Sequence, residues 1–195
     1  TGALGGNTAV RRSRYKDLFG GRFGVNPHTI GSRELAAIAA ANFGEQVRHI
    51  DDFDDDGARN DYLDLLFSEG IEKAVVEPTI VFDYPASQAA LAETGPDSDG
   101  DQIARRFEIL WQGVEVGNGY EELRDAHGLR RRMELNNTLR AVRGLPSVPL
   151  DEKLLAALPY MPACSGVAVG LDRILMLLLG KPALADVTGF FGDRL

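Results

Sequence analysis

The sequence predicts an α+β fold, with helices flanking a mostly antiparallel sheet. Three observations carry that reading. Pro78-Thr-Ile-Val-Phe-Asp-Tyr84 is β-branched and aromatic and closes at Pro85, which marks a strand. Arg106 to Val116 alternates, with Phe107, Ile109, Trp111 and Val114 in apolar positions, which marks a second. The helical stretches between them lack the regular crossover spacing of parallel βαβ units.

Taken in order, residues 1–12 are glycine-rich and polar and read as a frayed lead-in. Arg14 to Phe19 reads as a short helix ending at Gly20-Gly21. Ser32 is an N-cap candidate with Glu34 in the first turn, and the Ala-rich run Leu35 to Phe43 ends at Gly44. An acidic loop, Asp51 to Gly57, precedes a helix over Asp61 to Glu69 that Gly70 stops. Residues 93–101 form a loop. Glu121 to Arg143 is a long charged helix, and Leu145-Pro-Ser-Val-Pro149 is a rigid turn. Asp151 caps a short helix through Leu158. Val167-Ala-Val169 is a small-residue strand that feeds a helix over Asp172 to Leu179, stopped by Gly180-Lys-Pro182.

The chain has 195 residues, enough for one domain with a real core. No apolar run reaches the roughly 18–20 residues that span a bilayer, so no membrane association is expected. The formal net charge of −8 weighs against non-specific nucleic-acid binding, which draws on Lys and Arg. Arg130-Arg-Arg132 with Arg140 and Arg143 is a local basic candidate, but a solvated helix face is the favoured reading. One cysteine, Cys164, permits no internal disulfide. With no apolar leader at the N-terminus, a cytoplasmic location is expected.

Three clusters could carry chemistry. Asp52-x-Asp54-x-Asp56-Gly57 opens like a calcium loop, but the twelfth position is Leu63 where a bidentate Glu is required. A solvated loop is the better reading. Gly113-Val-Glu-Val-Gly-Asn-Gly-Tyr-Glu-Glu-Leu123 gathers Glu115, Asn118, Tyr120 and Glu122 around glycines. Paired carboxylates can hold Mg²⁺ against phosphates, and a carboxylate with an amide can hold an ammonium. Glu115 and Glu122 are seven apart, so a regular strand puts them on opposite faces. If both reach one ligand, the segment around Gly117-Asn-Gly119 must bulge or twist. The spacing alone slightly favours a hairpin turn on Asn118-Gly119 with exposed glutamates. In the third cluster, Cys164 to Leu178, a small-residue strand runs into a helix. Gly170 stands at the junction and Arg173, a planar cation able to stack on a purine, in the first turn. Its bland reading is a packed strand–helix corner.

Together and in this order, the last two clusters resemble the class II aminoacyl-tRNA synthetases. Gly166-Val-Ala-Val-Gly-Leu-Asp-Arg173 is similar to their motif 3, and Arg106-Phe-Glu-Ile with Gly113 to Leu123 resembles the preceding strand of the lysine, aspartate and asparagine subgroup. Asn118, an aromatic at 120 and Glu122 follow the lysine-type pattern. Tyr84 to Leu91, Arg140 to Asp151 and Met161 to Ala168 most resemble the elongation factor P lysyltransferases, truncated paralogues of lysyl-tRNA synthetase. The resemblance runs from about Tyr15 to Leu195 and strengthens after Pro78.

The resemblance implies ATP and Mg²⁺ as cofactors and lysine as substrate. It gives Glu115 to the Mg²⁺–ATP, with the backbone near Val116 contacting nucleotide. Glu122 would bind the lysine ammonium and share the metal, and Asn118 and Tyr120 would line the lysine pocket. Gly170 would lie under the adenosine, and Arg173 would stack on adenine and reach the terminal phosphate. It further implies adenylate formation, with elongation factor P as acceptor, or tRNA if the chain is a piece of a lysyl-tRNA synthetase. A non-catalytic nucleotide-binding paralogue is the remaining alternative. The whole chain, 1–195, reads as the C-terminal portion of such a catalytic domain. Motif 1, which builds the homodimer, and motif 2, which clamps the α-phosphate, are expected outside it. A fragment lacking them is expected to be inactive alone and to self-associate through uncovered apolar surface.

Overall fold

The computed structural model describes residues 9–44 and 56–189. The calcium-loop reading of Asp52 and Asp54 lies outside them. Five strands follow the path β1 (Arg11–Arg14), β2 (Thr79–Pro85), β4 (Gln102–Trp111), β5 (Val114–Glu121), β6 (Ser165–Val169), and a short β3 (Thr94–Pro96) pairs with β4. The β1–β2 pair is parallel and the others are antiparallel, so the α+β expectation holds.

The edges of several elements differ from the sequence reading. Residues 11–14 are not lead-in, because Arg11 to Arg14 pair with Thr79 to Phe82. Helix α1 (Tyr15–Phe23) runs through Gly20-Gly21 and stops at Gly24, in the left-handed region at φ 73°. Tertiary packing overrides the two glycines. Phe19 is fully buried, and the Phe23 ring lies where a Cβ on Gly70 would come within 2.6 Å. In α2 (Ser32–Phe43) the N-cap is Gly31, and Ser32 is the first helical residue; Gly44 ends the helix as expected. Helix α3 (Asp56–Gly70) starts five residues before the expected Asp61.

The expected single strand over 106–116 is a hairpin. Gln112 and Gly113 both have positive φ, 50° and 73°, which makes a tight primed turn between β4 and β5. Gly113 also approaches the Lys73 backbone, where a Cβ would sit 3.3 Å from it. The turn therefore lies at 112–113, and Asn118-Gly119 is inside β5. Helix α4 (Ala126–Val142) begins later than expected, capped by Asp125, which accepts from the His127 N–H at 2.9 Å. Asp151 caps α5 (Glu152–Ala157) as read, accepting from Leu154 N–H at 3.0 Å. Helix α6 spans Leu171–Leu178.

Helices α1, α2 and α3 pack on one face of the sheet. Tyr15, Phe19, Phe67 and Tyr84 stack there, with ring centroids 4.6–5.7 Å apart, among Leu35, Leu63, Leu66, Val81 and Leu110. Leu123, Leu129, Leu155 and Leu158 form a second, smaller cluster under α4 and α5. Four of the five arginines in and just after α4 are structural tethers, Arg131 being exposed. Arg130 forks onto Glu152, Arg132 donates to the Ala90 and Ala92 carbonyls at 2.8 Å, Arg140 donates to Pro146 O and Arg143 pairs with Asp61. Burial falls away toward β6, four of whose five residues are exposed, and α6 has no buried residue. Among the described residues the outer edge of β6 is unpaired.

One loop is fixed by charge. The Lys16 ammonium is ringed by Asp97, Asp99 and Asp101 at 2.7, 2.6 and 2.9 Å. Asp97 also accepts from the Asp99 and Asp101 N–H groups. The Lys16 bond holds Asp97 at about 2, below its ordinary 3.8, against the opposing effect of burial. A depressed carboxylate stabilises fully above its unfolded value and loses that contribution as pH falls through about 2. Asp97→Asn is therefore expected to lower the urea midpoint at pH 6. The gap to the parent chain should narrow on titration from pH 4 to pH 2.

Candidate functional site

The site is built on the hairpin and its neighbour β6. Directly opposed residues share a face in an antiparallel sheet. Arg106 opposes Tyr120, and Glu108 opposes Asn118. The register then shifts. Ile109 pairs with Gly117 but Leu110 pairs with Glu115, so Val116 is an extra residue in β5. That bulge is the change of phase the seven-residue spacing demands. It turns Glu115 to the face of Asn118 and Tyr120. Glu122, one step past the strand, continues the same phase. Its Oε1 lies where a Cβ on Gly166 would come within 2.6 Å. Gly166 opposes Tyr120 and Ala168 opposes Asn118, so β6 supplies a floor of small residues.

Gly170 N-caps α6 and donates to the Val116 carbonyl at 2.9 Å, which locks the bulge to the strand–helix junction. The Arg173 stem lies over Gly170, where a Cβ would meet its Cδ at 3.3 Å. Arg173 Nη1 donates to the Glu115 carbonyl at 2.6 Å and stands 3.6 Å from Glu115 Oε2. Glu122 is held by its own backbone, which donates to Cys164 O at 3.0 Å and bridges to Ala92. Asn118 Oδ1 is buried and has no hydrogen-bond partner among the described residues, an acceptor left for a ligand or water. Of the seven residues singled out from sequence, Glu115, Val116, Gly170 and Arg173 are joined by direct contacts at one end of β5, and Asn118, Tyr120 and Glu122 continue along it on the face of Glu115.

Sequence reasoning missed two carboxylates here. Glu108 is buried on the same face, and burial with the nearby Glu115 charge pushes its carboxyl up, against the opposing Arg106 charge. Glu72, in the 3₁₀ turn after α3, is raised by burial and then by Glu108 and Glu115. Glu108 was within reach of pattern reading, since a hairpin register through Gln112-Gly113 places it opposite Asn118. Glu72 lies far off in sequence and had no local signal. Among the described residues no three His, Cys, Asp or Glu side chains converge as a ready-made metal cage.

Gly119 and Gly166 are opposite cases of close packing. A Cβ on Gly119 would strike the Phe107 ring at 2.5 Å and the Gly166 carbonyl at 2.7 Å, a collision with backbone. Gly119→Ala is expected to cost roughly 1–3 kcal/mol of unfolding free energy. Gly166→Ala meets only the end of the Glu122 side chain, and should displace Glu122 with little loss of stability. Denaturant melts of the two variants check both expectations.

Residues 14–193 match the family described as tRNA synthetases class II (D, K and N). The chain is 39% identical over 183 residues to an elongation factor P–(R)-β-lysine ligase of Klebsiella pneumoniae subsp. pneumoniae. It is 40% identical over 183 residues to a ligase of the same name from Salmonella arizonae. Each alignment covers 92% of this chain and 54% of the relative, so the chain spans about half the length of these relatives. Among its described residues no helix is long and apolar enough to cross a membrane. With the family matched across nearly the whole chain, and with its glutamates and Arg173 gathered on one sheet face, the chain belongs to the class II tRNA synthetases of the D, K and N group.

Proposed function

We propose that this chain supplies the nucleotide and amino-acid floor of a ligase that activates lysine, or a close isomer such as β-lysine, with ATP. The acceptor is then elongation factor P. The single observation that carries this reading is the Val116 bulge, which brings Glu115 into phase with Asn118, Tyr120 and Glu122. The names of the relatives supply the acceptor and the amino-acid class.

In this reading the substrate carboxylate attacks the α-phosphorus of ATP. Pyrophosphate leaves, and the acyl group of the mixed anhydride passes to an amine of the acceptor. No side chain needs to act as nucleophile. Catalysis is placement plus charge neutralisation. Arg173, anchored on the Glu115 carbonyl, offers its plane to adenine and its charge to the terminal phosphate. Gly170, with no side chain of its own, lets the Arg173 stem lie against the backbone beneath the adenosine. Glu122, the orphan Asn118 Oδ1 and Tyr120 receive the substrate ammonium and stem.

The donor set suits Mg²⁺, which commonly takes one or two carboxylates and completes its shell with phosphate oxygens and water. Glu115 and Glu122 would hold it, with the buried Glu108 adding negative charge beside them. Bound there, the metal would neutralise phosphate charge. Arg130 and Arg143 are paired with Glu152 and Asp61, which lowers the net positive charge this segment offers to a tRNA. Among the described residues nothing covers α6 or the β6 edge, so the chain alone is proposed to bind nucleotide but to form adenylate slowly.

Calorimetry with Mg²⁺–ATP should give binding at up to millimolar nucleotide, weakened about tenfold or more by Arg173→Ala. Lysine- or β-lysine-dependent pyrophosphate exchange, assayed in the longest reading frame that contains this chain, should be lost in Glu115→Gln. An exchange unaffected by that change would sink the assignment.

A further inference from the structure

Arg106 stands at the joint between the helical core and the open site. Its guanidinium carbon lies 4.6 Å from the centroid of the Tyr84 ring and 5.9 Å from that of Tyr120. Nη1 donates to the Gln88 carbonyl at 3.0 Å, and Nη2 pairs with Glu108 Oε1. The Arg106 side chain is 17% exposed and that of Glu108 12%, so the pair is largely shielded from solvent. The Arg106 Nε is buried without a partner among the described residues. A planar cation over an aromatic face gains from the ring quadrupole, and its fork fixes orientation as a lysine cannot. Tyr84 is itself packed against Tyr15 and Phe67, so Arg106 is backed by the rigid core. On the other side it meets Tyr120, which opposes it in the sheet, and its carboxylate partner Glu108 opposes Asn118.

We infer that Arg106 is a positioning residue for the amino-acid end of the site. Held by Gln88 and Glu108 and backed by Tyr84, it sets the plane of Tyr120 and the place of Glu108 beside Asn118. It acts through these residues and touches neither substrate. The inference rests on the lysine-activation reading above and assigns to this site a residue outside the glycine-rich motif.

The test uses pyrophosphate exchange in the longest reading frame containing this chain, with KM read separately for amino acid and ATP. Arg106→Lys keeps the charge beside Glu108 and loses the flat contact with both rings. It should raise the amino-acid KM about tenfold, with kcat and the ATP KM within about threefold. Tyr120→Leu should raise the same KM. The double variant should be no worse than Tyr120→Leu, because the arginine acts through that ring. Arg105→Gln, which removes a neighbouring arginine paired with Glu121, should change none of these values.

Equal rises in both KM values, strictly additive effects, or an unchanged Arg106→Lys enzyme would overturn the inference while leaving lysine activation standing. A parent enzyme with no amino-acid-dependent exchange would overturn both.

Discussion

A single extra residue in one strand governs the site. A β-strand repeats every two residues, so carboxylates seven apart diverge to opposite faces unless the count is broken. Val116 breaks it. The inserted residue is held because its carbonyl takes the Gly170 N–H and because its side chain is buried. The same contact ties the start of α6, and with it Arg173, to the strand that carries Glu115. A strand, a bulge and a helix terminus therefore behave as one unit, and the guanidinium and the carboxylate move together or not at all.

The surrounding structure grades from rigid to open across one sheet. At the β2–β4 side, stacked aromatics and buried leucines fix the backbone with the density of a protein interior. At the β6 side, small residues and glycines leave room. The polar groups lie at the boundary, where Glu108 and Asn118 are partly withdrawn from water but not sealed. Such a boundary raises the worth of each charge contact while leaving an approach for a ligand. The α4 arginines, by contrast, bind the molecule to itself, and an arginine-rich helix is here a set of clasps between loops.

Much of this was legible in the sequence, and the failures have identifiable causes. Asp151 as a cap and Gly44 as a helix end follow from local chemistry, strand periodicity makes a bulge the condition for Glu115 and Glu122 to share a face, and the family motifs rest on resemblance. The β4–β5 turn was misplaced because Asn118-Gly119 is the stronger textual turn signal, whereas Gln112 adopts positive φ only because Gly113 docks on the Lys73–Val76 segment. Helix α1 was cut short because the packing of Phe23 on Gly70, forty-seven positions away (70 minus 23), outweighs two glycines. β1 was missed for the same reason: Arg11 to Arg14 carry no strand pattern and are extended because β2 offers them an edge. Glu72 reaches the site through tertiary folding alone.

The bare flank of β6 has a consequence for handling the molecule. Ser165-Gly-Val-Ala-Val169 carries no proline and no charged residue, the devices by which exposed strand edges are kept from pairing with strangers. Beside it, Leu171, Leu175 and Leu179 face solvent. Among the described residues that edge is a template on which a second strand could add, so self-association of this polypeptide is expected to rise with its concentration.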